Sequence, residues 1–196
     1  QLSTMFNTKN GVLALTLALL SSCSISTTQR LDCSKWDTED FFKQAEAADV
    51  KRCIGEGADI EARGEHSWTP LHFVARNNEN PEVVKALLDA GADIVARDDG
   101  GDTPLHIAAS SNENPEVVKV LLDAGADIKA RSDGGGTPLH SAAYNNENPE
   151  VVKVLLDAGA NIKAKSNNGK LPIDFMEEDS PLYKTDVYYR LNEARF

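Results

Sequence analysis

The chain has 196 residues and a formal net charge of −11. That balance speaks against nucleic-acid or anionic-membrane binding, since both need a basic stripe; it reads as a solubility device. The length allows a sizeable core, and the 6% aromatic content suits the stacking of small residues on helices.

The N-terminus has the features of a targeting segment. Lys9 and Asn10 precede an apolar run at 12–20, nine residues that include one Thr. Such a run is too short to span a bilayer and has the length of a signal-peptide core. It ends in Leu20-Ser21-Ser22-Cys23. This resembles the bacterial lipobox, in which cleavage before the Cys frees its thiol to carry diacylglycerol. The alternative is an ordinary secretory signal with an incidental Cys; the lipoprotein reading is favoured. Met5 reads as the start. Residues 1–22 are assigned to the signal peptide and 23–35 to a Ser/Thr-rich tether. Removing 1–22 takes away one Lys and no acid, which leaves a charge of −12.

Cys33 and Cys53 follow. An exported chain meets an oxidising compartment, so the two thiols are expected to pair. A loop of about 20 residues closed in this way contributes roughly 3 kcal/mol on the chain-entropy model. The alternative is two free thiols. Cys33 precedes the first structural unit and Cys53 lies on that unit's second helix. A bridge would pin the incoming segment across the open start of the stack. The first unit itself begins near Trp36. Thr38 is its N-cap, with Glu39 and Asp40 in the first turn.

From Thr69 onward the text repeats. Thr69-Pro70-Leu71-His72 recurs as Thr103-Pro104-Leu105-His106 and as Thr137-Pro138-Leu139-His140, each 34 positions on. A worn copy begins at Leu171-Pro172-Ile173-Asp174. The middle copy continues Ile107-Ala108-Ala109 and later Glu116-Val117-Val118-Lys119-Val120-Leu121-Leu122-Asp123-Ala124-Gly125-Ala126-Asp127-Ile128. Thr103 caps a helix and Pro104 takes the first helical position, where a missing N–H costs nothing. Leu105, Ala108 and Ala109 form an inner stripe. Asn114 and Pro115 start a second helix, whose Val118, Leu121 and Leu122 are core. Gly125 ends it in the left-handed conformation. Residues 98–102 are turn formers. A fixed period of this kind marks a stacked array in which no unit buries its own apolar face alone.

The unit resembles the ankyrin repeat over about residues 38–196, with Val74 and Asn161 as small departures. The family's usual period is 33, so the extra residue is expected in the Asn-Glu-Asn-Pro turn between helices. The resemblance implies a mostly α solenoid of helix-turn-helix units joined by β-hairpin loops. The domain is expected over 36–196, with units near 36–68, 69–102, 103–136, 137–170 and 171–196. In the last unit, Ser180 and Pro181 read as another cap and proline. A terminal helix then turns Val187, Tyr188 and Leu191 inward and Asp186, Tyr189, Arg190 and Glu193 outward.

Three histidines, His72, His106 and His140, raise the question of a metal. Equivalent positions in stacked units lie about 8–10 Å apart, and zinc needs nitrogens near 2.0–2.1 Å. They are read as structural, bonding the capping Thr and a neighbouring unit as the resemblance implies; no metal or cofactor is expected. His66 sits on a hairpin tip. Acid pairs such as Asp98/Asp99 and Glu177/Glu178 fall on surface loops. Gly134-Gly135-Gly136 lacks the Lys-Ser/Thr of a phosphate cradle, and no catalytic motif is present.

The copies differ mainly at Phe73/Ile107/Ser141, at Arg76/Ser110/Tyr144 and in the hairpins. Positions 73, 76 and 77 share a helix face opposite Leu71 and Ala75. In ankyrin-like arrays that face lines a concave protein-binding groove. The expected partner-binding residues are Trp68, Phe73, Arg76, Ile107, Ser110, Ser141, Tyr144, Asp99 and Asp102. The alternative is drift where packing is lax. The overall expectation is a non-catalytic, monomeric protein-binding scaffold of a bacterial envelope. Its only tie to the membrane would be a lipid anchor at Cys23. A secreted effector that binds a host protein through the same surface is the second reading.

Overall fold

A computed structural model describes residues 30–196; the signal-peptide and lipidation assignments, Cys23 included, lie outside them. Residues 31–196 form one compact unit. Its helices come in pairs. They are α1 (Glu39–Gln44) and α2 (Ala47–Gly55), α3 (Pro70–Asn77) and α4 (Pro81–Asp89), α5 (Pro104–Ser111) and α6 (Pro115–Asp123), and α7 (Pro138–Asn145) and α8 (Pro149–Asp157). A 3-10 turn at Pro172–Phe175 and a terminal helix α9 (Asp186–Asn192) complete the series. First helices stack on first helices, from α1 through α7 to the Pro172–Phe175 turn. Second helices stack on second helices, from α2 to α9.

The starts follow the cap chemistry. Thr69, Thr103 and Thr137 cap α3, α5 and α7, each followed by Pro at the first helical position. Asn80, Asn114 and Asn148 cap α4, α6 and α8 by accepting from the amides of Glu82, Glu116 and Glu150. After α6, Gly125 takes φ +95°, where a Cβ would be strained. Leu71, Leu105, Leu139, Leu87, Leu121 and Leu155 are fully buried, as are Ala108, Ala142 and most of the paired valines. One apolar seam therefore runs the length of the stack.

The loops between units are hairpin turns without extended strands; no described residue is in a strand. At 98–102 the amide of Asp98 donates to Asp102 O at 3.0 Å, and at 132–136 Ser132 donates to Gly136 O at 2.9 Å. Backbone bonds join neighbouring tips: Asp99 N to His66 O at 3.1 Å, and Asp133 N to Gly100 O and Asn167 N to Gly134 O, both at 3.0 Å. Gly101 and Gly135 hold φ near +70° beneath those crossings. A Cβ on either would collide with Asp133 or Asn167 of the next tip.

Two ladders tie the units laterally. Arg63 donates to Arg97 O at 2.7 Å, Arg97 to Arg131 O at 2.9 Å, and Arg131 to Lys165 O at 2.6 Å. At the C-caps of the first helices, buried Asn78, Asn112 and Asn146 reach back to the preceding unit. Asn112 Nδ2 donates to Ala75 O and Asn78 O at 3.0 and 3.1 Å. Asn146 repeats this with Ala109 O and Asn112 O, and Asn78 with Phe42 O and Ala45 O. These side chains satisfy carbonyls left open where each first helix ends.

The ends are closed differently. At the N-terminal end Trp36, Phe41 and Phe42 are buried as an edge-to-face cluster, with Trp36 Nε1 donating to Asp59 O at 2.8 Å. Arg52 grips the incoming segment through Leu31 O at 2.6 Å and is ion-paired to Asp49. The Cα atoms of Cys33 and Cys53 stand 5.4 Å apart, with their sulfurs at bonding distance. That spacing is normal for a disulfide.

At the other end the first helix of the last unit shrinks to Pro172–Phe175. Leu171 has no hydroxyl, and Asp174, in the histidine position, accepts from Leu171 N at 2.9 Å. The expected helix start at Ser180-Pro181 is corrected. Ser180 Oγ only accepts from Leu182 N within a turn, and Thr185 caps α9 instead. Val187 and Leu191 of α9 are buried, whereas Asp186, Tyr189, Arg190 and Glu193 face solvent.

Candidate functional site: the face of the first helices and the hairpin tips

The three histidines prepare this face. The amides of Thr69, Thr103 and Thr137 donate to Nδ1 of His72, His106 and His140 at 3.1–3.2 Å. Each Nε2 meets a carbonyl of the next hairpin: Asp102, Gly136 or Lys170, at 3.2–3.3 Å. A carbonyl only accepts, so the Nε2 atoms carry the protons and donate. Burial holds all three pKa values down, to about 4 for His106. The rings are neutral struts between helix and hairpin, and each imidazole's two nitrogens are committed.

The expected binding residues divide into three groups. Phe73 is corrected: it is 5% exposed. Its ring stacks on Phe42 at 6.0 Å and meets Trp68 edge-on at 5.3 Å. The preceding unit here is the aromatic end cluster, and it takes the ring inward. Trp68, Ile107, Ser110, Ser141 and Asp102 are half-buried. Trp68 Nε1 donates to Asp98 Oδ2 at 3.0 Å, and Ser110 Oγ accepts from Asn145 at 3.2 Å. Arg76, Asp99 and Tyr144 are exposed, Tyr144 by 66%.

Arg76 lies over Trp68, its guanidinium 5.4 Å from the ring centroid and 3.9 Å from Glu39. The equivalent helix position two units on is Tyr144. Its ring meets Phe175 edge-on at 5.9 Å. Tyr144 and Phe175 form one wall of a cleft of about 290 Å³, with Ser141, Ser166, Asn168 and Asp102 around the rest. Burial is the main cause that raises the Asp102 carboxyl to about 6, and the neighbouring Asp98 adds to it while Arg97 opposes. At the N-terminal end a separate acidic hollow is lined by Asp37, Glu39, Asp40 and Glu65, floored by Phe73.

Phe175 was absent from the expected set, yet it was within reach of the sequence. It extends the series Phe73, Ile107, Ser141 by one more period of 34. The worn signature at Leu171 concealed that register. Asp98, Ser132 and Ser166 form a second such series at the hairpins. Neither series signals its partners, because Asp98 meets Trp68 only once the hairpins are folded beside the helices.

Among the described residues no cluster of three or more His, Cys, Asp or Glu side chains could hold a metal ion. A family model described as ankyrin repeats (3 copies) matches residues 43–132 and 97–166. No curated protein matches the chain significantly. Ankyrin repeats are in general protein–protein interaction modules and typically not catalytic. With more than half of its length matched in two overlapping stretches, and with stacked helix pairs at a period of 34 beneath that match, the chain belongs to the ankyrin repeat family.

Proposed function

We propose that this protein is a non-catalytic scaffold that binds a protein partner through the first-helix face and the hairpin tips. One observation carries the reading. Most differences between the repeats fall at positions that reach solvent, such as Arg76, Ser110 and Tyr144, and the main buried exceptions are Phe73, Val74 and Ala86. Aromatic and Arg side chains on a surface they do not hold together are suited to anchoring a partner. The test is affinity capture with the wild-type chain and with an Arg76→Ala/Tyr144→Ala variant. A partner held by the wild type and lost by an equally stable variant supports the reading. A partner held equally by both removes it.

The proposal extends to location. The apolar run at 12–20 and Cys23 support export and lipid anchoring on a bacterial envelope. The Cys33–Cys53 bridge fits the same compartment. Metabolic labelling with an alkyne fatty acid should mark the wild type and not Cys23→Ala. Both forms unlabelled, with protein in the medium, would favour a secreted effector that acts on a host protein.

A further inference from the structure

The two ends of the first-helix face solve one chemical problem in different ways. At the N-terminal end the chain places its own guanidinium, Arg76, over an aromatic ring, Trp68, with a carboxylate, Glu39, at 3.9 Å. At the equivalent point two units later the aromatic surface is present and the guanidinium is not. Tyr144 replaces Arg76, its ring two-thirds exposed and braced edge-on by Phe175. The carboxylate is present too: Asp102 lines the same cleft. Among the described residues no hydrogen bond is made to its carboxyl oxygens.

The cleft's other walls suit a cation. Ser141, Ser166 and Asn168 offer neutral acceptors. His140, which also lines it, is held neutral by burial and spends both ring nitrogens on Thr137 and Lys170 O. Lys170 stands beside it with its ammonium 5.1 Å from the Phe175 centroid, and Arg97 and Arg131 act on Asp102 and His140 from the hairpin side. The volume of about 290 Å³ lies at the lower end of the range for small-ligand sites and has room for one long side chain. A guanidinium is planar. It stacks on an aromatic face and pairs with a carboxylate at its edge, which an ammonium does less well.

We infer that the cleft between Tyr144, Phe175 and Asp102 is a subsite for an arginine side chain of the protein partner. This rests on the protein-binding reading and names the chemistry of its anchor. In effect the partner would supply in trans the contact that Arg76 makes in cis at the other end.

The test needs no partner. The full-length 15N-labelled chain is titrated with N-acetyl-arginine amide, N-acetyl-lysine amide and N-acetyl-citrulline amide, the last a neutral near-isostere. The arginine probe should shift the amides of Ser141, Tyr144, Ser166 and Asn168 with millimolar affinity. The lysine probe should bind at least threefold more weakly, and citrulline should not bind measurably. Tyr144→Ala and Asp102→Asn should each weaken the arginine probe at least fivefold, with melting temperatures checked in parallel. Equal shifts from arginine and citrulline, or arginine shifts unchanged in both variants, overturn the inference. Failure here leaves the capture experiment with Arg76→Ala/Tyr144→Ala free to succeed. Failure of that capture leaves the probe titration readable, so the two claims fail separately.

Discussion

Asn112 of one unit and Ala75 of the unit before are joined by a buried hydrogen bond, Nδ2 to carbonyl oxygen, at 3.0 Å. The same amide group serves Asn78 O, and Oδ1 accepts from Asn114 N at 2.9 Å. One side chain thus closes the end of a helix in one repeat and shapes the turn that starts a helix in its own. Asn112→Ala strands two buried carbonyls and an amide, each costing about 1–3 kcal/mol when unsatisfied. The expected loss is at least about 2 kcal/mol, which for a domain of this size lowers the melting temperature by roughly 4–8 °C. Asn114→Ala removes a half-buried cap and a solvent-accessible bond to Glu79 O at 2.6 Å, and because water can replace both it should cost about half as much. Equal losses for the two variants would deny the inter-repeat rung its role.

That rung also marks the limit of what the sequence conveyed. Caps, prolines, the terminal glycine and the leucine core are local or periodic properties, so they were legible at Thr103, Pro104, Gly125 and Leu121. The role of Asn112 was not, because its partners lie 34 and 37 positions away in a different unit. Phe73 shows the same limit from the other side. Its place on the helix is equivalent to that of Ile107 and Ser141, but its neighbour is the aromatic end cluster rather than another inner repeat. A helix-face argument treats the three alike; only the neighbouring unit separates them. Ser180 reads as a cap on composition, yet the cap falls to Thr185, where Val187 and Leu191 can reach the core.

Acid should destabilise the stack through its histidines. Burial holds His106 down to about 4 in the fold, against 6.5 for an ordinary imidazole. Above pH 6.5 neither state binds the proton and the effect is absent. As pH falls from 6.5 toward 4, the unfolded chain takes up a proton that the fold refuses, and stability is lost. At pH 5 this amounts to about 2 kcal/mol for His106 alone. His72 and His140 shift in the same direction. Asp102 has the opposite sign. Its carboxyl is raised to about 6 in the fold, so its contribution is present below 3.8 and is lost as pH rises through 6. Melting temperature should therefore fall from pH 7 to pH 5, and fall more steeply in Asp102→Asn. A fall no steeper in the variant would rule out the Asp102 assignment.

A bridge between Cys33 and Cys53 would close a loop with a sequence separation of 20. On the chain-entropy account its loss costs roughly 3 kcal/mol. Cys33→Ser is the suitable variant, since Cys53 is fully buried and Cys33 is not. Melting should begin at the N-terminal end, where Trp36 is 4% exposed and reports on the end cluster by fluorescence. Arg52 still holds Leu31 O in the variant, so the segment should loosen rather than detach. Intact mass under non-reducing alkylation decides the pairing itself: two labelled thiols at these positions in exported protein would refute it.

The sharpest separation is between Tyr144, Leu121 and Phe73. Leu121 is fully buried in α6, and truncation to Ala costs about 2–5 kcal/mol because the stack relaxes only partly around the lost volume. Tyr144 is 66% exposed and touches chiefly the edge of Phe175. Its truncation gives up part of one aromatic pair, about 0.5–1.5 kcal/mol at most. Phe73 sits on the same helix face as Tyr144 but is stacked between Phe42 and Trp68. Phe73→Ala should behave like Leu121→Ala, at about 3–5 kcal/mol. Urea unfolding of the three variants ranks them directly. The expected order is Tyr144→Ala near wild type, with the other two far below. If Phe73→Ala unfolds with Tyr144→Ala instead, the end cluster does not hold that ring, and position 73 returns to the surface available for a partner. If Tyr144→Ala falls with Leu121→Ala, its ring is part of the fold. The cleft beside Phe175 would then have no free aromatic face to offer.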